Sequence, residues 1–146
     1  MTTVASTSPV VTVHIWGVRN RAIPGALWRM ATGRSRVQRS RGLRFAKLLG
    51  TGSGETFSLR EADPHHWALI AAWDDAADAR VFELGSMVTA WDSHAYETAR
   101  FVLSPIHSRG RWAGQEPFGP GSKPTTAGPV AAITRARIKA KQWRRF

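Results

Sequence analysis

Five histidines and one glycine-rich loop are the residues of this chain whose types and spacing could do chemistry. His14, His65, His66, His94 and His107 are its only imidazoles, and it has no cysteine. Thiolate catalysis, disulfides and Cys-ligated zinc or iron–sulfur centres are therefore excluded, and a metal would have to use histidine, carboxylate, tyrosine or other oxygen ligands. His65 and His66 are neighbours, so within a strand they point to opposite faces and cannot clasp one ion. They are expected at a strand entrance. His107 adjoins a Ser-Arg-Gly-Arg turn and is expected at the surface. His94 follows a helical stretch and is either a helix-end charge partner or a pocket residue. His14 shares a strand face with Thr12 and Trp16, which makes it either a buried, hydrogen-bonded core residue or a ligand or pocket residue.

The run Gly50, Thr51, Gly52, Ser53, Gly54 could form a nest of backbone amides for an anion, with Lys47 adding positive charge. It matches neither the dinucleotide G-x-G-x-x-G pattern nor the P-loop, and no helix follows it directly. Nucleotide phosphate is thus disfavoured against a tight turn needing positive φ or the close approach of a ligand. No Ser, His and carboxylate spacing suggests a hydrolase. The 10 acidic residues fall mostly at helix starts or exposed positions, which leaves paired-carboxylate chemistry unsupported. Of the seven tryptophans, Trp67 and Trp73 share one parity of a strand and Trp91 lies on an apolar helix stripe, so core packing accounts for them. Trp16 is placed to line a pocket.

A sheet must position these side chains. Val10 to Trp16 is rich in β-branched residues and alternates Val11, Val13, Ile15 against Thr12, His14, Trp16, which predicts a first strand. Asn20 to Thr32 has Pro24 near a helix start, apolar residues at helical spacing and Gly33 as a stop. Leu43 to Leu49 alternates again, and His66 to Trp73 predicts a third strand. Asp74 or Asp75 then caps a helical stretch carrying Val81, Leu84, Val88, Trp91 and Ala95, bent or split at Gly85. Thr98 to Pro105 predicts a fourth strand. The order is β-α-β-β-α-β, an α+β ferredoxin-like unit.

Residues 1–9 are expected as a disordered lead-in, 10–110 as the ferredoxin-like domain and 111–128 as a turn-rich linker. Residues 129–146 are expected as the first strand (Val130 to Ile138) and helix start of a second copy of the unit. A chain stopping there reads as a fragment or truncated product, with a natural terminal helix packing back on the sheet as the other reading. The lead-in lacks a basic region followed by an apolar one, and no apolar run approaches the roughly 20 residues of a spanning helix. A cytoplasmic location is the expectation. The formal charge of +11 concentrates at Arg34, Arg36, Arg39, Arg41 and Arg44 and again in the last dozen residues. Such charge suits a solvated face, an anionic membrane surface or nucleic acid.

The stretches VVTVHIWGV, NRAIPGALWRMA, LRFAKLLGTGSGETF, HHWALIAAWDDAADARVFE, SRGRWAGQEPFG and GPVAAITRARIK, over most of residues 10 to 141, resemble the spheroidene monooxygenase family of carotenoid biosynthesis. Most specific are F-x-K-L-x-G-T-G-x-G at Phe45 to Gly54, W-A-L-I-x-x-W-D at Trp67 to Asp74, and the G-x-W and PF element at Gly110, Trp112, Pro117 and Phe118. The chain departs from the family where Phe57, Ser58, Leu59 and Arg60 stand in place of a threonine–proline pair, and in lacking most of a second repeat.

The resemblance implies a dimeric α+β barrel architecture and a haem-dependent monooxygenase that places a keto group on a linear carotenoid, using dioxygen and reduced ferredoxin. In that picture His14 ligates or flanks the haem iron and Trp16 lines the polyene pocket. Lys47 neutralises the haem propionates beside Gly50, Thr51, Gly52 and Gly54, and the basic surface meets an anionic membrane. A homodimer is expected. The alternative from another class is a non-catalytic ferredoxin-like module binding nucleic acid or a small apolar ligand. Nucleic acid is the weaker partner, because the strands lack the exposed aromatic pairs of an RNA-reading sheet.

Overall fold

In a computed structural model, residues 9–52, 62–121, 123 and 127–134 are described. The chain runs β1 (Val10–Val18), a 3-10 turn (Asn20–Ala22), α1 (Ile23–Gln38), β2 (Leu43–Gly52), β3 (Ala62–Trp73), α2 (Ala76–Glu83), α3 (Ser86–Asp92) and β4 (Ala95–Leu103). The strands form one sheet of order β2-β3-β1-β4, with every neighbouring pair antiparallel. This is the ferredoxin-like arrangement that the pattern predicts.

The period-2 alternation of β1 sorts its side chains between two environments. Thr12, His14, Trp16 and Val18 face the helices together with Leu69, Ala71 and Trp73, and Ala26, Val37, Ala79, Phe82, Val88 and Trp91 close the core from above. The opposite parity places Val11, Phe45, Ile70 and Ala72 in a second, smaller cluster on the other side of the sheet. Asp75 caps α2, its side chain accepting from the Asp78 amide. Gly85 divides α2 from α3, as expected.

Several boundaries differ from expectation. Gly33 does not stop α1 but is buried inside it, where a side chain would meet Leu48 and Met87. Its small size serves packing, and the turn to β2 is made by Gly42 at φ 66°. β3 starts four residues early, at Ala62, and the final helix ends at Asp92, so that Ala95 opens β4 instead of closing the helix.

The C-terminal segment differs more. Residues 111–121 are not an open linker: Trp112 and Phe118 pack on Phe45 at ring separations of 5.2 and 6.3 Å, and Pro117 is buried. Three aromatics bury enough apolar area to hold a turn-rich strap against the sheet. Of the expected strand Val130 to Ile138, the described part, 130–134, is exposed and forms no strand, since a strand needs a partner edge and this segment lies on none. The rest of that expectation, residues 135–146, lies outside the described residues, as do residues 1–8. Pro9 is buried beside Gly119.

Candidate functional site

The two sheet faces carry different chemistry. On the helix side, His14 is 1% exposed, lying beneath α2. Its ring stacks on Trp16 at 5.5 Å and meets the edge of Phe82 at 6.3 Å. Trp16 stacks in turn on Trp91, and its indole N–H donates to Asp92 Oδ1 at 2.9 Å. Arg100, opposite His14 on β4, also donates to Asp92. Neither ring nitrogen of His14 has a hydrogen-bond partner; Glu83 Oε1 stands 3.6 Å from Nε2. Burial pushes the imidazole's pKa down, the nearby Glu83 carboxylate opposes that, and the Arg100 charge adds to it. His14 is therefore a neutral, enclosed base, without the hydrogen bonds a structural core histidine ordinarily makes.

The other side is the open face. Val13, Ile15, Leu49 and Ala68 lie half-buried there, flanking the buried Ile70, and Phe101 is exposed on β4. Lys47, opposite Ile70 in the register, is the cation of this apolar surface, its ammonium 5.7 Å from the Phe45 ring centroid. The strap bearing Trp112 and Phe118 closes one end. At the other end Gly17 separates His66 on β3 from Glu97 on β4. A side chain at Gly17 would collide with Glu97, whose Cγ lies 2.6 Å from where a Cβ would sit. Its absence lets Glu97 reach His66.

His66 Nδ1 is 2.5 Å from Asp63 Oδ2 and Nε2 is 2.8 Å from Glu97 Oε1. With a carboxylate at each nitrogen, the ring satisfies both only as the imidazolium. The hydrogen bond with Asp63, then that with Glu97, pushes the His66 pKa up. The bond with His66 holds Asp63 below the usual carboxylate range, and likewise Glu97. His65 takes the other oxygen of Asp63 at 3.2 Å and faces Asn20 Oδ1 at 2.6 Å. The adjacent histidines thus share a carboxylate, not an ion. Sequence reasoning missed Asp63 and Glu97; the Asp-Pro-His-His string was a local signal for the first, but nothing local marks Glu97, which arrives from the far strand. His94 is exposed against Arg29, and His107 is exposed. Among the described residues, no group of three or more His, Asp or Glu side chains is disposed to hold a metal ion.

Gly50, Thr51 and Gly52 are strand residues paired with β3, and the Thr51 hydroxyl donates to the His66 carbonyl. Gly50 does not have positive φ. The described part of the run, residues 50–52, is thus the end of a hairpin arm. Gly54 lies outside the described residues.

The expected cofactor constellation does not come together. His14 and Trp16 face the helices, whereas Lys47 pairs in register with Ile70 and Val13 on the opposite face. A side chain on the far side of the sheet cannot meet the propionates of a haem that His14 ligates. The cavities about 380 and 440 Å³ in volume are lined by other residues than His14. The described residues of this chain do not fit a haem held by that pair.

No protein-family model matches the chain. Its sequence is 36% identical over 121 residues to a spheroidene monooxygenase of Rhodobacter capsulatus, covering 81% of this chain and 50% of that protein. It is 34% identical over 104 residues to that of Cereibacter sphaeroides, covering 70% and 32%, and 36% identical over 105 residues to that of Rubrivivax gelatinosus, covering 72% and 41%. Over most of its own length the chain is similar to spheroidene monooxygenases. It spans half or less of the length of these curated relatives. Two of the three most specific motifs meet in space, Phe45 of the first packing against Trp112 and Phe118 of the last.

Among solved structures, the fold resembles NE2512, a protein of unknown function from Nitrosomonas europaea (TM-score 0.56, 9% identity, 74% of this chain and 99% of that one). It also resembles a putative antibiotic biosynthesis monooxygenase from the same organism (TM-score 0.53, 14% identity, 67% and 99%). SnoaB, a cofactor-independent oxygenase from Streptomyces nogalater, aligns at TM-score 0.50 and 15% identity over 70% and 97%. At these identities the likeness is one of fold.

Proposed function

We propose that this chain forms one α+β unit of a spheroidene monooxygenase-like enzyme and offers its open sheet face as an apolar wall for a long polyene. The observation that supports this most is the uncovered apolar stripe over Val13, Ile15, Leu49 and Ala68, ending at the Phe45, Trp112 and Phe118 cluster. A nine-residue strand such as β1 runs about 30 Å, enough to support an extended ligand along its length. Lys47 is the polar handle on this wall, suited to an oxygen on an otherwise apolar molecule.

In this reading a linear carotenoid is the substrate, as the relatives' name suggests, and dioxygen and reduced ferredoxin are the co-reactants. One sheet face covers only one side of such a ligand, so a second copy of the chain or a second α+β unit closes the site. His66, charged and partly open at the rim of the same face, is the group able to supply a proton there. His14 stays apart from that chemistry, on the helix side of the sheet.

A linear carotenoid presented in detergent tests the wall. The expected result is a shifted polyene absorption and quenched tryptophan emission, both lost in Val13→Glu and Leu49→Glu. These residues are half-buried and their variants should remain folded by circular dichroism. Polyene binding unchanged by both substitutions would refute the wall.

A further inference from the structure

The surface opposite the open face combines charge with exposed apolar side chains. Trp28 is 71% exposed on α1, and Val81 and Leu84 are 69% and 80% exposed at the end of α2. Trp28, Ser35 and Arg39 succeed one another at seven and four residues, so they share the α1 face turned from the sheet. Arg39 and Val81 both line a shallow cavity of about 380 Å³, together with Arg36, Ser40, Arg41 and Ser86. That cavity lies between the C-terminal end of this α1 face and Val81, with Trp28 about 16 Å further along the same face, so arginines and apolar tips share the outward side of the helices.

Its acidic residues are mostly engaged. Asp78 lies within the cavity and pairs with Arg41 at 3.4 Å. Asp74 holds Arg44, Asp75 caps α2, and Glu83 turns toward His14. Among the described residues, Arg36 and Arg39 have no carboxylate within ion-pair distance. Two unneutralised guanidinium groups and two hydroxyls around an opening of this size suit a phosphate with its ester oxygens.

We propose that this patch docks the protein on an anionic phospholipid bilayer, the arginine cavity taking a lipid phosphate and Trp28, Val81 and Leu84 entering the interfacial layer. Charge complementarity selects an anionic partner, and the apolar tips select a bilayer over a polynucleotide. Phosphate contacts on nucleic acid use arginines but give exposed leucine and valine nothing to bury against. Tryptophan at the headgroup level and a basic, amphipathic surface are the usual means of lying on a membrane without crossing it. Among the described residues, no helix is long and apolar enough to span one. Docking by the helix side turns the open sheet face away from the bilayer and leaves it free, so the docking does not depend on the polyene wall.

The experiment is co-sedimentation of the purified chain with vesicles of phosphatidylcholine alone or mixed with phosphatidylglycerol, at low and high salt. No carotenoid is present, so its result is independent of whether the polyene wall is correct. The expected result is binding to the mixed vesicles that weakens with salt. Each arginine near an anionic surface is worth about fivefold in affinity, so Arg36→Gln with Arg39→Gln should weaken binding about 25-fold. Removing two charges elsewhere, Arg109→Gln with Lys123→Gln, should weaken it far less. Leu84→Ser should weaken it at both salt concentrations, and brominated acyl chains should quench wild-type emission more than that of Trp28→Phe. All these positions are exposed, so the variants should fold. Equal losses from the two charge pairs, insensitivity to Leu84→Ser, or absence of vesicle binding would each overturn the proposal. Binding of RNA with the same dependence on Arg36 and Arg39 but none on Leu84 would assign the patch to nucleic acid instead.

Discussion

Replacing His14 with leucine should make the protein more stable, because the native imidazole is buried with both nitrogens lacking a hydrogen-bond partner. A buried polar group left unsatisfied costs about 1–3 kcal/mol, and leucine carries none. Leucine nearly fills the vacated volume, so the cavity penalty of about 2–5 kcal/mol expected on truncation to alanine does not arise. The loss to set against this is the stack on Trp16, worth about 0.5–1.5 kcal/mol. The balance is a gain of about 1 kcal/mol, or about 3–5 °C in Tm for a domain of this size. Thermal and urea unfolding followed by circular dichroism at pH 7.5 measures it, with His14→Ala expected to shift the opposite way.

The same pair of proteins tests the charge state. Burial depresses the His14 pKa below 6.5, the value it regains on unfolding. The unfolded chain therefore binds the extra proton, and stability that is complete above pH 6.5 falls as the pH drops below it. His14→Leu should lack this acid-side loss, and every other titrating group is common to both proteins. A His14→Leu protein less stable than wild type by more than about 1 kcal/mol would show that His14 has a stabilising partner. An unchanged acid slope would show that His14 is not held neutral.

Three further outcomes follow from the rim and the turns. His66, with its pKa raised, stabilises the fold fully below pH 6.5 and loses that contribution as pH rises through its folded value; Asp63, with its pKa lowered, contributes above 3.8 and loses it as pH falls. Glu97→Gln should lower the His66 titration midpoint in NMR spectra and move the alkaline edge of that window down, whereas an unmoved midpoint would contradict the contact. Gly42→Ala forces a side chain to φ 66° against Asp78 and should cost about 1–3 kcal/mol in urea unfolding; a neutral result would mean the turn relaxes. Trp112→Ala should release the strap, costing about 1–2 kcal/mol of apolar burial and raising proteolysis within residues 106–121. An unchanged cleavage pattern would show that the strap is held by other contacts.

Local sequence determined the elements and their order. The β-branched alternation of Val10 to Trp16, the Asp75 cap and the break at Gly85 are short-range signals, and each recurs in the structure because its cause lies within a few residues. The similarity to spheroidene monooxygenases was likewise readable from Phe45 to Gly54 and Trp67 to Asp74, as was the parity that puts His14 beside Trp16. Parity along one strand also sends Lys47 to a definite side of β2. Which side of the sheet that is, relative to His14, depends on the pairing register of β2, β3 and β1, and register is a long-range property. Only the tertiary structure separated the imidazole from the lysine, and only it brought Glu97 across Gly17 to His66. The strap is the same lesson in packing: glycines and prolines make residues 111–128 look like a linker. Trp112 and Phe118 become buried only because β2 holds Phe45 beneath them, and burial is a property of the neighbour as much as of the residue.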